Sequence, residues 1–164
     1  MVECHSKSGM NMAEVKKLIP AEEYNDAVGS AHLLDVKMIA SDFDIRATYF
    51  SFEKGDLKFS YGCESGVQHY SADDGKLVGT FHVEAIAKKS RKVLLKSKAT
   101  YVVAFVVEGR PTEVGALAYL RRVGAFACWP YFRSHFATLC GAAGADAPTL
   151  PVMTGNLPAE IKAG

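Results

Sequence analysis

The strand pattern is clearest in residues 76–107, which read KLVGTFHVEAIAKKSRKVLLKSKATYVVAFVV. In the first half apolar residues alternate with polar ones, so that Leu77 and Phe81 would share one face of a strand. The second half ends in the continuous apolar run 101–107, which is typical of a central strand with both faces covered. The two halves predict neighbouring strands joined by a turn at Lys88–Lys92. The positions predicted to face inward on the first strand are Leu77, Gly79, Phe81, Val83, Ala85 and Ala87.

Upstream patterns complete a predicted four-stranded sheet. Residues 57–64 alternate apolar with polar, and Asp73-Asp74-Gly75 is a hairpin signal because Asp and Gly accept the positive φ of the turn. Residues 32–49 also alternate, but the phase changes once, which predicts one bent strand with a bulge near Ser41–Asp42. A short helical piece is predicted before this strand, from Ala13 to Ala27, interrupted by Pro20, a residue that is well suited to a helix entry. The face predicted for the first half of the strand carries Leu34, Val36, Met38 and Ala40.

Downstream of the sheet the spacing becomes helical. Thr112 is a good helix N-cap with Pro111 just before it, and helical character runs to about Leu139 with an interruption at Gly124. Pro130 predicts a kink, because proline removes a backbone hydrogen bond from the helix. Strands followed by one long, kinked helix with an aromatic stripe predict that this helix packs against the sheet.

Composition excludes several classes of protein. The chain has 164 residues, of which 49% are hydrophobic and 23% charged, and a net charge of +1. These values are ordinary for a globular domain and give no overall field that attracts nucleic acid or an anionic membrane. The four cysteines match no zinc or disulfide framework, which predicts reduced thiols. We expect a cytoplasmic protein with no secretory signal and no membrane insertion. The predicted parts are a flexible leader (1–12), a single domain (13–153) and a short tail (154–164).

Residues with catalytic potential are few. No GxSxG, HExxH, Walker A or GxGxxG motif is present in the sequence. His82 and Glu84 lie two apart on the outer face of a predicted strand, where a solvated pair is the simpler interpretation. The basic cluster 88–98 lies at a hairpin turn without the interleaved aromatics that base stacking needs, so nucleic acid is not a predicted partner. We expect no catalytic residue, no metal and no cofactor.

The C-terminal third carries a motif in two halves. It reads Cys128-Trp-Pro-Tyr-Phe-Arg133, followed by an apolar helix, a glycine break and Ala147-Pro-Thr-Leu-Pro-Val152. This arrangement resembles the SecB family of export chaperones, whose members carry Leu-Phe-Pro-Tyr-x-Arg-Glu and then Phe-Pro-x-Leu-x-Leu-x-Pro-Val. The resemblance covers about residues 108–153, and the order of four strands and then a helix agrees with it.

The resemblance implies a SecB-like α+β subunit that assembles with itself as a dimer or as a tetramer built from two dimers. It also implies an ATP-independent chaperone, a holdase that keeps unfolded preproteins in an apolar groove. A translocase motor or an antitoxin would be a further partner. Arg133 would tie the helix to a carboxylate. The residues implied as peptide-binding or interface positions are Phe126, Trp129, Tyr131, Arg133, Leu150 and Val152.

The chain departs from the family pattern at three points. Ser134 stands where the family usually has Glu, the net charge is +1 where members are strongly acidic, and the last helix is reduced to at most Ala159–Ala163. These departures favour a narrower client over general export. The alternative is a small α+β enzyme or ligand-binding domain such as a hot-dog thioesterase, for which Glu113 is the only carboxylate near the helix start. A third hypothesis is an assembly subunit whose groove is only an oligomer interface.

Overall fold

An antiparallel sheet organises the chain in the computed structural model, which describes residues 20–154. Helix α1 (Ala21–Ser30) precedes the sheet and helix α2 (Glu113–Ala143) follows it, so the predicted α+β class is confirmed. The predicted leader and residues 155–164 of the predicted tail lie outside the described residues. The strands lie in the order β1-β4-β3-β2. Their bounds are β1 (Ala31–Ile45), β2 (Lys58–Ser71), β3 (Lys76–Lys89) and β4 (Lys92–Val107).

Strand β3 confirms the alternation from which the sheet was predicted. All six positions predicted to face inward are buried, and they lie under helix α2. Across the hairpin, Leu77 is aligned with Phe105 of β4, so the two side chains lie next to each other on the same face of the sheet. The predicted turn before β3 is also present, because Gly75 has a φ of +59° and its carbonyl accepts from the backbone N–H of Val107 at 2.7 Å.

Strand β4 is an inner strand, as its apolar run predicts, but the coverage of its two faces differs. Tyr101, Val103 and Phe105 are buried on the side that carries the helices. On the opposite side Val102 and Ala104 are only half-buried. Within the described chain a helix therefore covers only one face of β4, and coverage of the other face by a second subunit stays a prediction.

Strand β1 is one strand of 15 residues, but the bulge predicted near Ser41–Asp42 is misplaced. The register against β4 shifts at Leu34 and again at Ile39. Each inserted residue reverses the alternation of the side chains that follow it. The predicted shared face is therefore split, and Val36 and Met38 lie on the helix side because they align with buried residues of β4.

Helix α2 runs without a break, so the predicted interruption at Gly124 is wrong. Gly124 is buried against the ring of Phe81, and a Cβ at this position would overlap that ring. The glycine therefore lets the helix approach β3 closely and does not end it. Pro130 lies inside the helix on its exposed side; the kink predicted there stays a prediction.

Both ends of α2 carry caps. The Thr112 hydroxyl accepts a hydrogen bond from the backbone N–H of Gly115 at 3.1 Å, as predicted for an N-cap. Gly144 has a φ of +66° and closes the helix in the left-handed conformation that favours glycine. Of the helices in residues 20–154, none is long and apolar enough to cross a membrane.

Candidate functional site

The segment that crosses from β1 to β2 presents aromatic rings at the surface. It folds into short 3₁₀ turns at Ala47–Ser51 and Lys54–Asp56. Phe50 is 54% exposed and Phe52 is 37% exposed, whereas Tyr49 is buried and meets Phe50 edge to face at 5.6 Å between centroids. We call these three residues the crossover cluster. Exposed rings held by a buried neighbour form a fixed apolar surface.

A cleft of about 470 Å³ adjoins the crossover cluster. Its other walls include Gly144 and Asp146, which follow helix α2. The Tyr49 hydroxyl donates to the carbonyl oxygen of Asp146 at 2.8 Å, so it joins the crossover segment to the chain that leaves the helix. Burial, with smaller effects from Cys140 and Asp146, raises the pKa of Tyr49 to about 12.

The cations beside the cleft are paired. Lys54 lies 3.6 Å from the Asp146 carboxylate, and Lys89 lies 3.0 Å from Asp56. The hydrogen bond from Lys89 lowers the pKa of Asp56, and the Lys89 ammonium also lies 5.3 Å from the centre of the Phe52 ring. The cleft itself is lined by Lys54, Asp146 and Glu53, so it combines aromatic surface with an excess of one carboxylate.

The segment 147–153 is held to α2 by residues of the C-terminal motif. Trp129 donates from Nε1 to the carbonyl of Pro151 at 2.8 Å, and Arg133 donates from Nε to the carbonyl of Leu150 at 2.7 Å. We call these two bonds the tether. The expected carboxylate partner of Arg133 is wrong, since its hydrogen bond in the described chain goes to a main-chain oxygen.

The six predicted site residues differ in exposure. Trp129 is 1% exposed and Leu150 is also buried, so within this subunit they support the tether and present no free surface. Tyr131 and Val152 are 55% and 66% exposed and are accessible to a partner. Contact with a polypeptide stays a prediction for all six. The half-buried members are Phe126 and Arg133.

A second apolar surface lies along β1. As the first strand in the order β1-β4-β3-β2, β1 forms an edge of the sheet, where backbone N–H and C=O groups have no partner on the outer side. Large apolar side chains are exposed on both of its faces and at its bulges. We call them the β1 patch, and they are Leu33, Leu34, Met38 and Ile39.

Sequence reasoning missed both apolar surfaces. Phe50 and Phe52 lie in a segment without regular period, so no pattern separates a surface ring from a core ring there. The aromatic run Tyr49-Phe-Ser-Phe52 was the available signal. On β1 the alternation placed Leu34 on one face with Val36, Met38 and Ala40, and alternation alone does not show the register shift at Leu34 or its exposure.

The residues considered for catalysis have other partners. His82 shares a hydrogen bond with the Thr100 hydroxyl at 3.1 Å, and Glu84 lies 4.0 Å from Lys98. Glu113 is exposed at the first position of α2. Within residues 20–154 no group of three or more His, Cys, Asp or Glu side chains is placed to hold a metal ion.

The expectation that Glu113 is the only carboxylate near the start of α2 is wrong. Glu23 of α1 lies there too, and its Oε2 accepts a hydrogen bond from the Thr112 hydroxyl at 2.7 Å. The same hydroxyl accepts from the backbone N–H of Gly115. The Glu23 carboxylate therefore extends the N-cap and joins the two helices.

Comparison with known proteins identifies the fold. No protein-family model and no curated protein matches the chain. A solved structure is similar: the SecB-like chaperone Rv1957 of Mycobacterium tuberculosis, in complex with a ChAD peptide from the HigA1 antitoxin. The TM-score is 0.66 and the sequence identity is 17%, over 81% of this chain and 97% of the other. This chain therefore has the fold of a SecB-like chaperone.

Proposed function

We propose that the chain is an ATP-independent chaperone that holds unfolded polypeptide on exposed apolar surface. The observation that carries this proposal is the crossover cluster, where two phenylalanine rings are exposed beside a cleft of about 470 Å³. Contiguous apolar surface that is left open on a soluble domain marks a binding site. The shared fold supports the proposal, because the similar protein is a SecB-like chaperone that was solved with a peptide.

The chemistry of the cleft favours apolar segments of the client. Lys54 is paired with Asp146, and Glu53 also lines the cleft, so acidic segments are disfavoured and aromatic or large aliphatic side chains supply the binding energy. Recognition of many sequences needs adaptable apolar area more than exact polar contacts. We propose that peptide contact extends to the exposed Tyr131 and Val152.

Although the cleft can hold many apolar segments, we propose that the client in the cell is narrow, as for an antitoxin. The peptide in the similar structure comes from an antitoxin, and this chain has a net charge of +1. That charge argues against the acidic docking surface through which the SecB family is expected to meet a translocase motor. We place this activity in the cytoplasm and without catalysis.

Self-association is proposed to use the β1 patch. The patch joins exposed apolar side chains to the unpaired backbone groups of a sheet edge, and natural proteins seldom leave such an edge open. A second copy of the chain would cover both features by pairing β1 with β1. This arrangement leaves the crossover cluster free for the client.

The test is the aggregation of a chemically unfolded model protein, diluted with or without the chain and with no nucleotide. The wild-type chain should suppress aggregation at near-equimolar ratio. The double variant Phe50→Ser/Phe52→Ser should lose most of this effect, while Val114→Ser, which removes an exposed apolar side chain on α2, should keep it. Both variants change surface positions, so circular dichroism should show them folded.

Two outcomes would contradict the proposal. A wild-type chain that leaves aggregation unchanged at every ratio is not a general holdase. If the double variant protects as well as the wild type, the polypeptide does not bind at the crossover cluster.

A further inference from the structure

Two cysteines face each other where helix α2 lies on strand β2. Cys63 is aligned with Val83, whose side chain is buried under the helix, so Cys63 also faces the helix side. Cys128 is buried on α2 next to Trp129. The Trp129 ring lies 5.4 Å from the ring of Tyr61, which precedes Cys63 by two residues on the same face of β2. Both thiols therefore lie in the interface between α2 and β2, where Cys63 forms a hydrogen bond with Cys128.

The two thiols have different environments. Cys128 donates from Sγ to the carbonyl of Ala125 at 3.4 Å. A hydrogen bond with Cys63, together with burial, raises the pKa of Cys128 far above its usual range. Cys128 is therefore a protonated thiol at neutral pH, and it must give up its proton when it reacts. Cys63 is only half-buried and lies on β2, an edge strand, where a small oxidant can approach.

We propose that Cys63 and Cys128 form a reversible disulfide that fastens α2 to β2 when the chain meets a peroxide. The Cys63 sulfur first takes one oxygen from hydrogen peroxide, which gives a sulfenic acid and one water. The Cys128 sulfur then attacks the sulfenic sulfur while its proton passes to the departing hydroxyl group, so that the S–S bond forms and a second water leaves. Two electrons and two protons pass from the thiols to the peroxide, and two equivalents of a small thiol reverse the change.

Cys63 and Cys128 belong to different elements, so forming or breaking the disulfide would change how firmly α2 is attached to β2. The bond would join α2 to an edge strand one residue away from Trp129, whose indole holds the tether. A cross-link between residues distant in the chain restricts the unfolded state and so raises stability. Disulfides of this kind in a reducing compartment are transient and respond to oxidants. This inference does not depend on the proposed chaperone activity.

The experiment uses the full chain with Cys4→Ser, since Cys4 lies outside the described residues. This parent is compared with Cys63→Ser and Cys140→Ser on the same background; Cys140 is a buried cysteine and the matched control. Each chain is treated with hydrogen peroxide, blocked with an alkylating agent at acid pH, digested without reductant and examined by mass spectrometry. Thermal unfolding is recorded before and after oxidation.

The parent and Cys140→Ser should yield a peptide pair linked through Cys63 and Cys128, two hydrogens lighter than the separate peptides and released by reductant. Their unfolding temperature should rise on oxidation and fall again on reduction. Cys63→Ser should show neither change. Accumulation of Cys63 as sulfinic acid beside a free Cys128 would overturn the proposal, as would a Cys63 link found only between separate chains. Neither result would affect the aggregation test, which uses the reduced chain.

Discussion

At Trp129 one side chain performs two tasks that substitutions can separate. Its ring lies 5.4 Å from Tyr61 and 5.8 Å from Phe132, and fills the space between β2 and α2. Its N–H forms half of the tether by donating to Pro151. The phenyl ring of a Trp129→Phe variant keeps most of the packing and loses the hydrogen bond. The methyl group of a Trp129→Ala variant loses both.

We expect Trp129→Phe to lower the free energy of unfolding by about 1–3 kcal/mol, the usual effect of leaving an acceptor unpaired. Trp129→Ala should lower it by about 3–5 kcal/mol, because it also leaves a cavity. Urea unfolding followed by circular dichroism measures both values; fluorescence would not serve, since Trp129 is the only tryptophan. Equal stability of the two variants would show that the ring contributes nothing beyond its hydrogen bond.

Tyr49 predicts a dependence on alkaline pH. Its pKa is about 12 in the folded chain, whereas an unfolded tyrosine ionises at about pH 10. The folded state therefore keeps the proton longer. The contribution of this raised pKa to the free energy of unfolding is fully present below about pH 10, and it is lost as the pH rises toward 12. Ionisation also removes the donor that holds the Asp146 carbonyl.

The variant Tyr49→Phe should be less stable than the wild type at neutral pH by about 1 kcal/mol, the value of a typical hydrogen bond. The difference should shrink as the pH is raised from about 10 to 12, because only the wild type loses its bond there. Urea unfolding at a series of pH values measures the difference, with the exposed Tyr131→Phe as a control that should differ little from the wild type. A gap that stays constant across the range would contradict this explanation.

Among the elements, helix α2 contains two glycines that can be compared: one lets the helix pack closely on the sheet, and the other only lowers helix stability. Gly124 is buried against Phe81, whereas Gly141 lies on the exposed side of the same helix and an added Cβ there would have nothing within 4 Å. Alanine favours the helical state at both positions. Only at Gly124 does the new methyl group meet a buried ring.

We expect Gly124→Ala to destabilise the chain by about 1–3 kcal/mol, because overpacking outweighs the helix preference. Gly141→Ala should stabilise it by up to about 1 kcal/mol. Thermal and urea unfolding of the two variants give the comparison. If both substitutions stabilise the chain, Phe81 moves aside without cost and the close approach of α2 to β3 is not tight.

The same elements show how far the sequence can predict the fold. On β3 the alternation of apolar and polar residues in the sequence matches the alternation of buried and more exposed side chains, so the inward residues could be predicted. On β1 the inserted residue Ile39 is as apolar as its neighbours, and alternation alone cannot locate the bulge. The residues before and after Gly124 have helical periodicity, and the sequence alone does not show whether the glycine interrupts the helix. Its role depends on Phe81, which lies opposite it only in the folded chain.

At the scale of the whole molecule, the β1 patch predicts association. Lysine on an edge strand opposes pairing because its charge would be buried between copies. The double variant Leu34→Lys/Ile39→Lys should therefore sediment as a monomer while the wild type sediments as a larger species. Val114→Lys, an exposed apolar position on α2, should sediment as the wild type does.

Sedimentation velocity separates the outcomes. A wild-type chain that is monomeric at all concentrations would refute the association, and a double variant of unchanged size would place the interface elsewhere. The variant should keep its circular dichroism spectrum, because both side chains are exposed in the single chain.

The site was predictable only in part. The motif at Trp129 and Arg133 locates the region, because tryptophan, proline and arginine stand at fixed spacing ahead of the proline-rich segment. The partners of these residues could not be predicted, since they depend on how segment 147–153 folds back along α2. Phe50 and Phe52 lie in a segment without a regular strand or α-helix, where hydrophobic periodicity gives no information about which side chains are exposed.

The tether has a consequence for how this protein can change over evolutionary time. Both of its acceptors are main-chain carbonyls, which every amino acid possesses. The path of the segment is therefore insensitive to most substitutions at its outward positions, such as Thr149 and Val152. Mutation can exchange those side chains while the backbone keeps its course, so the exposed chemistry of the segment can change at little cost to folding.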